Sequence, residues 1–325
     1  MKLVRRQFLH LAAGAAALSS LPRISRAQTY PSRPVRIVVG FPPGGVTDLY
    51  ARLIGQWLSE RFGQPFVIEN RPGAANNIAT EAVVRAPADG HTLLMLNPTN
   101  AINATLYERL NYNFIRDIAP VASLARSPFV MEVNPSVPAK SVPEVIAYGK
   151  VNPGKLNMGS AGVGSPLHVA GELFKMTAGI NMIHVPYRGS GPMLTDLLGG
   201  QVQLAFDPIS SSIEYIRAGK LRALAVTAAA RADVLPDIPT VGEFIPGYEA
   251  IDWSGVGVPR STPDAIIAKL NAEINAALVN PKVMTRLTDL GSTPTLLSPA
   301  DFGNFIAEET EKWGKVVKFA GIKAE

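Results

Sequence analysis

Short apolar runs rich in β-branched residues alternate along this chain with longer stretches of amphipathic character. Val35–Val39 is the first such run and ends at Gly40. In the next stretch, from Thr47 to Phe62, apolar residues recur every three or four positions, which is the period of an amphipathic helix. Runs and helical stretches continue to alternate up to Leu96. This β-α-β-α-β order predicts a mostly parallel sheet with helices on both faces.

A second series of the same kind occupies residues 141–226. It opens on Ser141 and Glu144, which have the spacing of a capping box at a helix N-terminus. The last 60 residues are predicted to be helical, in three segments that each carry Pro in the first turn. Two series of alternating strands and helices, followed by a helical tail, predict an α/β fold with two lobes.

Two strand-like segments connect the two series, and we expect the chain to cross between the lobes in both. They are Ile118–Val133 and Glu249–Pro259. The second crossing returns the chain to the first lobe, which is therefore expected to be discontinuous. We expect lobe 1 to contain residues 28–125 plus 252–325, and lobe 2 to contain residues 126–251.

The first 27 residues have the pattern of a secretory signal peptide. A basic stub with the pair Arg5-Arg6 precedes an apolar run from Phe8 to Leu21. That run is about 14 residues long, whereas a membrane-spanning helix needs about 20. Ser25-Arg26-Ala27 then offers small residues at the two positions that a signal peptidase reads. We expect export to the periplasm with cleavage after Ala27, and the arginine pair resembles a twin-arginine signal.

Cleavage at that point would remove the surplus of positive charge. The chain has 31 basic and 26 acidic residues, and the predicted signal holds five basic residues and no acidic one. A neutral mature chain with interspersed charges does not favour a nucleic-acid or membrane-surface partner. The chain has no cysteine, which excludes thiol nucleophiles, disulfides and iron–sulfur clusters. We expect no metal and no other cofactor.

Two glycine-rich turns carry the candidate chemistry, and each joins a predicted strand to a predicted helix. The first spans residues 41–48 and includes Thr47 as a candidate N-cap; the second spans residues 159–166 and has three glycines and two serines. Open α/β folds bind ligands at the carboxyl ends of their strands. The free N–H groups of a first helical turn attract anions. One such turn per lobe predicts a clamp for an anionic ligand, although either turn alone could be a plain connection.

Several segments resemble a known family, and they follow one another in that family's order. They are YPSRPVRIVVGFPPGG from residue 30, PADGHTLLM from residue 87, NPGKLNMGSAGVGSPLHVAGELF from residue 152, HVPYRGSGPMLTDLLGGQVQLAFDP from residue 184 and AGKLRALAVT from residue 218. These segments resemble the Bug-type receptors, the extracytoplasmic solute-binding proteins of tripartite tricarboxylate transporters. The resemblance covers nearly all of residues 30–320. It implies a two-lobed type II periplasmic binding fold in which the loop after the first strand of each lobe holds a carboxylate, partly through water.

The resemblance also implies a set of ligand-binding positions. They are Phe41, Gly44, Gly45, Thr47 and Asp48 in the first lobe; Ser160, Gly162, Gly164, Ser165 and His168 in the second; and Tyr187, Arg188 and Asp207 around the rest of the ligand. Asn76 stands where the family usually has Gly, so its amide is expected at the cleft mouth. Simpler structural roles remain open: His168 could hydrogen-bond its own loop, Asp207 could cap a helix, and Asp48 could favour a helix N-terminus.

These observations favour a solute-binding receptor that is not an enzyme. We expect a monomer that closes on a small carboxylate by hinge motion and then docks on the membrane subunits of a transporter. The carboxylate is left open between a di- or tricarboxylate, an amino acid and an aromatic acid. One alternative is a receptor for an inorganic anion such as phosphate. The other is a hydrolase with Ser165 as nucleophile and His168 as base, for which the sequence offers no orienting acid.

Overall fold

A computed structural model describes residues 30–324, so the predicted signal peptide and its cleavage site lie outside the described residues. Within them, ten strands and eleven α-helices follow one another in a unit that begins at Arg33. The strands are β1 Val35–Val39, β2 Phe66–Asn70, β3 Thr92–Leu96, β4 Ile118–Val133, β5 Asn157–Ser160, β6 Ile183–Pro186, β7 Leu204–Pro208, β8 Arg222–Val226, β9 Ile251–Pro259 and β10 Thr293–Pro294. The helices are α1 Val46–Phe62, α2 Asn77–Val84, α3 Pro98–Leu106, α4 Phe114–Asp117, α5 Val142–Val151, α6 Pro166–Ala178, α7 Ser190–Leu198, α8 Ile209–Arg217, α9 Asp264–Leu278, α10 Pro281–Asp289 and α11 Pro299–Ala320.

The first half of the sheet has the order β2-β1-β3-β9-β4. Strand β1 runs parallel to both β2 and β3, with Val38 opposite Leu94. Strands β1 and β3 are almost entirely apolar and buried, as expected for central parallel strands covered on both faces. Strand β9 then pairs antiparallel with β3 and with β4. The predicted parallel core is confirmed, with antiparallel strands added at one side.

The second half continues from β4 in the order β4-β7-β5-β6. Strand β5 is parallel to β6 and β7, whereas β7 and β8 pair antiparallel with β4. Strand β4 is 16 residues long and is the one strand that enters both halves. It has the bounds predicted for the first crossing, and β9 lies within the second. The strands are confirmed, while the assignment of residues to lobes stays a prediction.

Helix α3 was not predicted from the sequence. It begins directly after β3, because Asn97 accepts a hydrogen bond from Thr99 N and Asn100 bonds back to Asn97 N in a capping box. This box contains asparagine instead of the usual Glu or Gln, and Pro98 occupies the first helical position. Within residues 30–324, no helix is both long enough and apolar enough to cross a bilayer.

The long helix α11 packs where the crossing strands meet. Trp253 of β9 is buried edge-on against Phe302 and Phe305 of this helix. Its Nε1 donates a hydrogen bond to Glu309 at 3.1 Å, and Trp313 donates to the same carboxylate at 2.9 Å. Buried aromatic rings with satisfied N–H groups make a rigid support. Strand β9 is therefore anchored to the C-terminal helix α11.

Replacing Gly255 of β9 by Ala should destabilise this support. A methyl group at Gly255 would collide with the Phe302 ring and lie 2.8 Å from the Ala122 carbonyl oxygen. Overpacking of this kind costs roughly 1–3 kcal/mol in free energy of unfolding, which urea denaturation would measure. Gly191→Ala is the matched control, because a methyl group there meets nothing within 4 Å. Equal stability of the two variants would contradict the close packing described for Gly255.

Candidate ligand-binding site

The first glycine turn leads from β1 into α1. Gly44 has φ +87°, a value that favours glycine, and Gly45 is the N-cap in an extended conformation. Helix α1 begins at Val46, so the prediction of Thr47 as N-cap is wrong: Thr47 lies in the first turn. Glycine has no side chain with which to cap the helix. The N–H groups of residues 45–48 consequently have no acceptor within the described residues.

Asp48 stabilises the first glycine turn through hydrogen bonds. It is buried and accepts hydrogen bonds from Gly44 N at 2.9 Å, from Arg52 at 2.8 and 3.0 Å and from Asn70 at 2.8 Å. Burial raises the pKa of Asp48, but the hydrogen bonds from Arg52, Gly44 and Asn70 outweigh it and bring the pKa to about 2. Asn70 also donates to the Phe41 carbonyl. Asp48 is therefore ionised, and both of its carboxylate oxygens already accept hydrogen bonds from the protein.

The second glycine turn leads from β5 into α6. Gly162 has φ +133° and Gly164 has φ +71°, and Ser165 caps the helix by accepting from His168 N. Three N–H groups are bonded inside the turn: Gly162 donates to Ser160 Oγ, Gly164 to His168 Nδ1 and Ser165 to the Gly162 carbonyl. These three bonds differ from the prediction, which was a loop whose N–H groups are free to bind a ligand.

Fewer amides therefore remain open in the second turn than the sequence indicates. In residues 161–165, the N–H groups of Ala161 and Val163 are the two that have no acceptor among the described residues. A ligand at this turn would meet the N–H groups of two alternate residues, Ala161 and Val163.

His168 supports the second turn from within the fold. The ring is buried, its Nδ1 accepts the Gly164 N–H at 3.1 Å and its Nε2 lies 3.5 Å from Glu172 Oε1. An Nδ1 that accepts cannot carry the proton, so the proton is on Nε2 and faces Glu172. Burial raises the pKa of Glu172, but His168 and Lys175 outweigh it and lower the value. The simpler structural role for His168 is the one that the geometry supports.

This arrangement corrects two expectations about a hydrolase. No orienting acid was predicted for His168, but Glu172 lies beside it, one helical turn further along α6. However, both ring nitrogens of His168 are engaged, so neither is left to activate Ser165. The serine that does contact an imidazole is Ser160, which lies 2.6 Å from His184 Nε2 and is completely buried.

The imidazole of His184 lies against that of His168. The two ring centroids are 3.5 Å apart and the ring planes are 10° from parallel. Burial lowers the pKa of His184 to about 4, with a smaller contribution from His168, so the ring is neutral at neutral pH. Ser160 bonds His184 on one side and Gly162 N on the other. His184, which the sequence reading did not single out, therefore fixes the start of the second turn.

Asn76 is fully buried, and its position at the cleft mouth stays a prediction. Its Nδ2 donates to Asn100 Oδ1 at 3.1 Å, and a methyl group on Gly40 would collide with its amide. Gly40 ends β1, so Asn76 packs against the base of the first turn. Asn100 belongs to α3, and Asn103 on the same helix donates to the Ala75 carbonyl.

Helix α3 connects the two glycine turns. Asn100 contacts the first turn through Asn76, and Leu106 at the end of the helix packs so closely on Gly164 that a methyl group there would collide with it. Leu106 comes six positions after Asn100 in the helix, which corresponds to a rise of about 9 Å along its axis. The asparagines at 97, 100 and 103 recur every three residues and were the sequence signal for this bridging face. The two turns thus flank one short helix.

The remaining candidates lie along the edge formed by β5, β6 and β7. Tyr187 N donates to the Ser160 carbonyl at 2.9 Å, and its hydroxyl donates to Asp196 at 2.7 Å. Arg188 is exposed and has no hydrogen bond or ion pair with another described residue. Asp207 is completely buried and bonds Ser212. The edge therefore offers one available cation, Arg188.

Two surface cavities lie away from these turns. One of about 470 Å³ is lined by Phe114, Arg260, Ile267 and residues at the start of α11, and one of about 390 Å³ lies beside Ile216. Neither cavity is lined by residues of the two glycine turns. Within residues 30–324, no cluster of three or more His, Asp or Glu side chains could hold a metal ion. The available chemistry is anion recognition by amides, hydroxyls and one guanidinium.

Comparison with known proteins agrees with this fold and with these segments. The chain is 37% identical to protein BugT of Bordetella pertussis over 300 residues, covering 91% of this chain and 92% of BugT. Among solved structures, R. palustris Rpa4515 with adipate is 40% identical with a TM-score of 0.77, covering 90% of this chain and 99% of that one. MatC from Rhodopseudomonas palustris with bound malate is 36% identical with a TM-score of 0.74, covering 89% and 100%.

The family model described as "Tripartite tricarboxylate transporter family receptor" matches residues 50–322. The predicted two-lobed α/β binding fold is confirmed by the likeness to these receptors, and a receptor, not an enzyme, is the class of protein that the match shows. The chain belongs to the tripartite tricarboxylate transporter receptor family, whose Bug-type members it resembled from its sequence.

Proposed function

We propose that this receptor binds a small dicarboxylate in the groove between its two glycine turns and presents it to the membrane subunits of a tripartite tricarboxylate transporter. The observation that carries the proposal is the uncapped N-terminus of α1, where the N–H groups of residues 45–48 lack an acceptor. A helix N-terminus with open amides attracts a carboxylate through hydrogen bonds and the helix dipole. The second turn, on the other side of α3, supplies the amides of Ala161 and Val163.

The ligand class follows from the neighbours and from Arg188. Adipate in Rpa4515 and malate in MatC are both dicarboxylates, and both proteins are at least 36% identical to this chain. One carboxylate would occupy the two turns. The exposed guanidinium of Arg188, at the edge next to the second turn, would pair with the other in a bidentate manner. Phe41 and Tyr187 would flank the carbon chain between them.

Closure is proposed to occur about the crossing strands β4 and β9. We propose lobe 1 as residues 28–125 plus 252–325 and lobe 2 as residues 126–251. A ligand that touches one turn in each lobe binds the closed form better than the open form, and therefore shifts the population towards closure. The mature receptor is proposed to be a periplasmic monomer, exported with cleavage after Ala27 of a signal in which Arg5-Arg6 resembles the twin-arginine pair.

Titration calorimetry on the purified receptor tests the ligand class. We expect one site per chain for adipate or malate, because a single groove holds both carboxylates. We expect inorganic phosphate and sulfate to compete weakly, because they cannot reach Arg188 and both turns together. Tight binding of phosphate with no heat from any dicarboxylate would contradict the proposal and favour an inorganic anion receptor.

Gly45→Val should weaken dicarboxylate binding about tenfold or more and leave the fold intact. The valine methyl groups would cover the open amides of the first helical turn. The site can accept the side chain, because Gly45 has φ −74° and a new Cβ would have only the Pro42 carbonyl oxygen nearby, at 3.7 Å. Calorimetry would measure the affinity and thermal unfolding the stability. Gly45→Ala is the size control and should lose less; unchanged affinity in the valine variant would show that the ligand binds elsewhere.

His184 should make the second turn sensitive to acid. Its pKa is about 4 in the fold against 6.5 for an ordinary histidine, so folding favours the neutral ring. This stabilisation is complete above pH 6.5 and is lost as the pH falls from 6.5 towards 4. Urea unfolding across that range should show a shallower loss of stability for His184→Gln than for the wild type. Parallel profiles would mean that His184 does not titrate with a lowered pKa.

A further inference from the structure

Two buried carboxyl groups share one hydroxyl beneath the second half of the sheet. Glu132 lies on β4 opposite Ala205, and Asp207 lies on β7 opposite Val130, so both side chains are on the same face. Ser212 of α8 stands between them, with its Oγ 2.7 Å from Glu132 Oε1 and 3.3 Å from Asp207 Oδ2. All three residues are completely buried. Of these three residues, Asp207 is the one that was predicted from the sequence as a ligand-binding position.

The hydrogen bonds of Ser212 require an extra proton in this cluster. A hydroxyl has one proton, so it donates to one carboxyl oxygen and can only accept from the other. A carboxyl oxygen gives a hydrogen bond only when it is protonated. Two ionised carboxylates bonded to the same hydroxyl, away from solvent, would also repel each other strongly. One of the two acids is therefore neutral.

The surroundings place the proton on Glu132. Asp207 has two hydroxyl neighbours, Ser212 and Ser190 at the start of α7, and these hydrogen bonds favour its charged form. Glu132 has Ser212 as its one hydrogen-bond partner among the described residues, and Glu132 Oε2 and Asp207 Oδ1 are both buried there without a partner. Burial raises the pKa of Glu132 to about 8 and that of Asp207 to about 7. With the proton on Glu132, Glu132 donates to Ser212 and Ser212 donates to Asp207.

The charged groups on the adjacent elements are engaged elsewhere. Arg222 of β8 donates to the carbonyls of Val137 and Ala139. Glu214 and Arg217 of α8 pair with each other at the surface, and Asp196 of α7 accepts from Tyr187. Within the described residues, no cation forms an ion pair with Glu132 or Asp207. The shared proton reduces the negative charge of this buried cluster, which a buried cation would otherwise have to balance.

We propose that Glu132 is a positioning residue of the ligand site: it carries a proton at neutral pH and, through Ser212, fixes an ionised Asp207 between the first turns of α7 and α8. Ser190, which lies near enough to Asp207 to favour its charged form, follows Tyr187 by three residues and Arg188 by two, so the cluster sets the position of the loop that carries the Arg188 guanidinium. This consequence for the ligand rests on the proposed function, whereas the shared proton does not.

Glu132→Gln tests the proposal, because its amide has the size of a glutamic acid and always offers a donor to Ser212. In the wild type the folded-state pKa of Glu132 lies above its unfolded value, so stability is complete at low pH and is lost as the pH rises from about 4.5 to about 8. Urea unfolding should show this loss between pH 5.5 and 8.5, and the glutamine variant should flatten it. Glu214→Gln, on the exposed face of α8, is the control and should keep the wild-type profile.

Calorimetry with adipate or malate at the same pH values is the second readout. We expect wild-type affinity to fall about fourfold between pH 6 and 8.5, as for one coupled proton that titrates near pH 8, and Glu132→Gln to show little change. Identical unfolding profiles for wild type and Glu132→Gln would overturn the assignment of the proton. A flattened unfolding profile with unchanged pH dependence of affinity would overturn the positioning role. If no dicarboxylate binds the wild type at any pH, the proposed function fails, and the unfolding profiles still decide the shared proton.

Discussion

The account of this structure depends on the backbone N–H groups at the start of helix α1, which have no hydrogen-bond acceptor among the described residues. At the end of β1 the chain enters α1 through Gly44 and Gly45, and nothing in the described residues caps the first turn. Such amides are costly when buried and useful when they face an anion. The positions of Asp48, Asn70 and Asn76 follow from the need to keep this turn rigid and open. Each contacts the turn or its base without occupying the amides.

The second turn meets the same requirement by a different route. Its glycines are held by side chains, since Ser160, His168 and His184 form a connected set of hydrogen bonds and a ring stack under the loop. Two of its amides stay open. The residues that look most like catalytic groups are therefore supports for a binding loop, which is why a serine and two histidines can lie together in a receptor. Helix α3 then fixes the spacing between the two turns.

The sequence was sufficient for the elements with a strong local pattern. The strands β1 and β4 have their predicted bounds, and helix α5 begins after the N-cap Ser141, although Glu144 accepts from Lys140 N and not from Ser141 N as a capping box requires. Helix α3 was missed because its capping box is built from asparagines and follows a strand without a linker. The roles of His184 and Glu132 could not be predicted, because each depends on a partner that only strand pairing or helix packing brings near. Thr47 was predicted as the N-cap, but Gly45, two residues earlier, takes that position.

The central claim is that amides from both turns hold one carboxylate. Proton–nitrogen NMR spectra of the isotopically labelled receptor, recorded with increasing adipate or malate, test it most directly. The account predicts that the amide signals of Val46 and Thr47 in the first turn, and those of Ala161 and Val163 in the second, move together and saturate at one ligand per chain. Saturable binding that leaves the amide signals of either turn in place would contradict it.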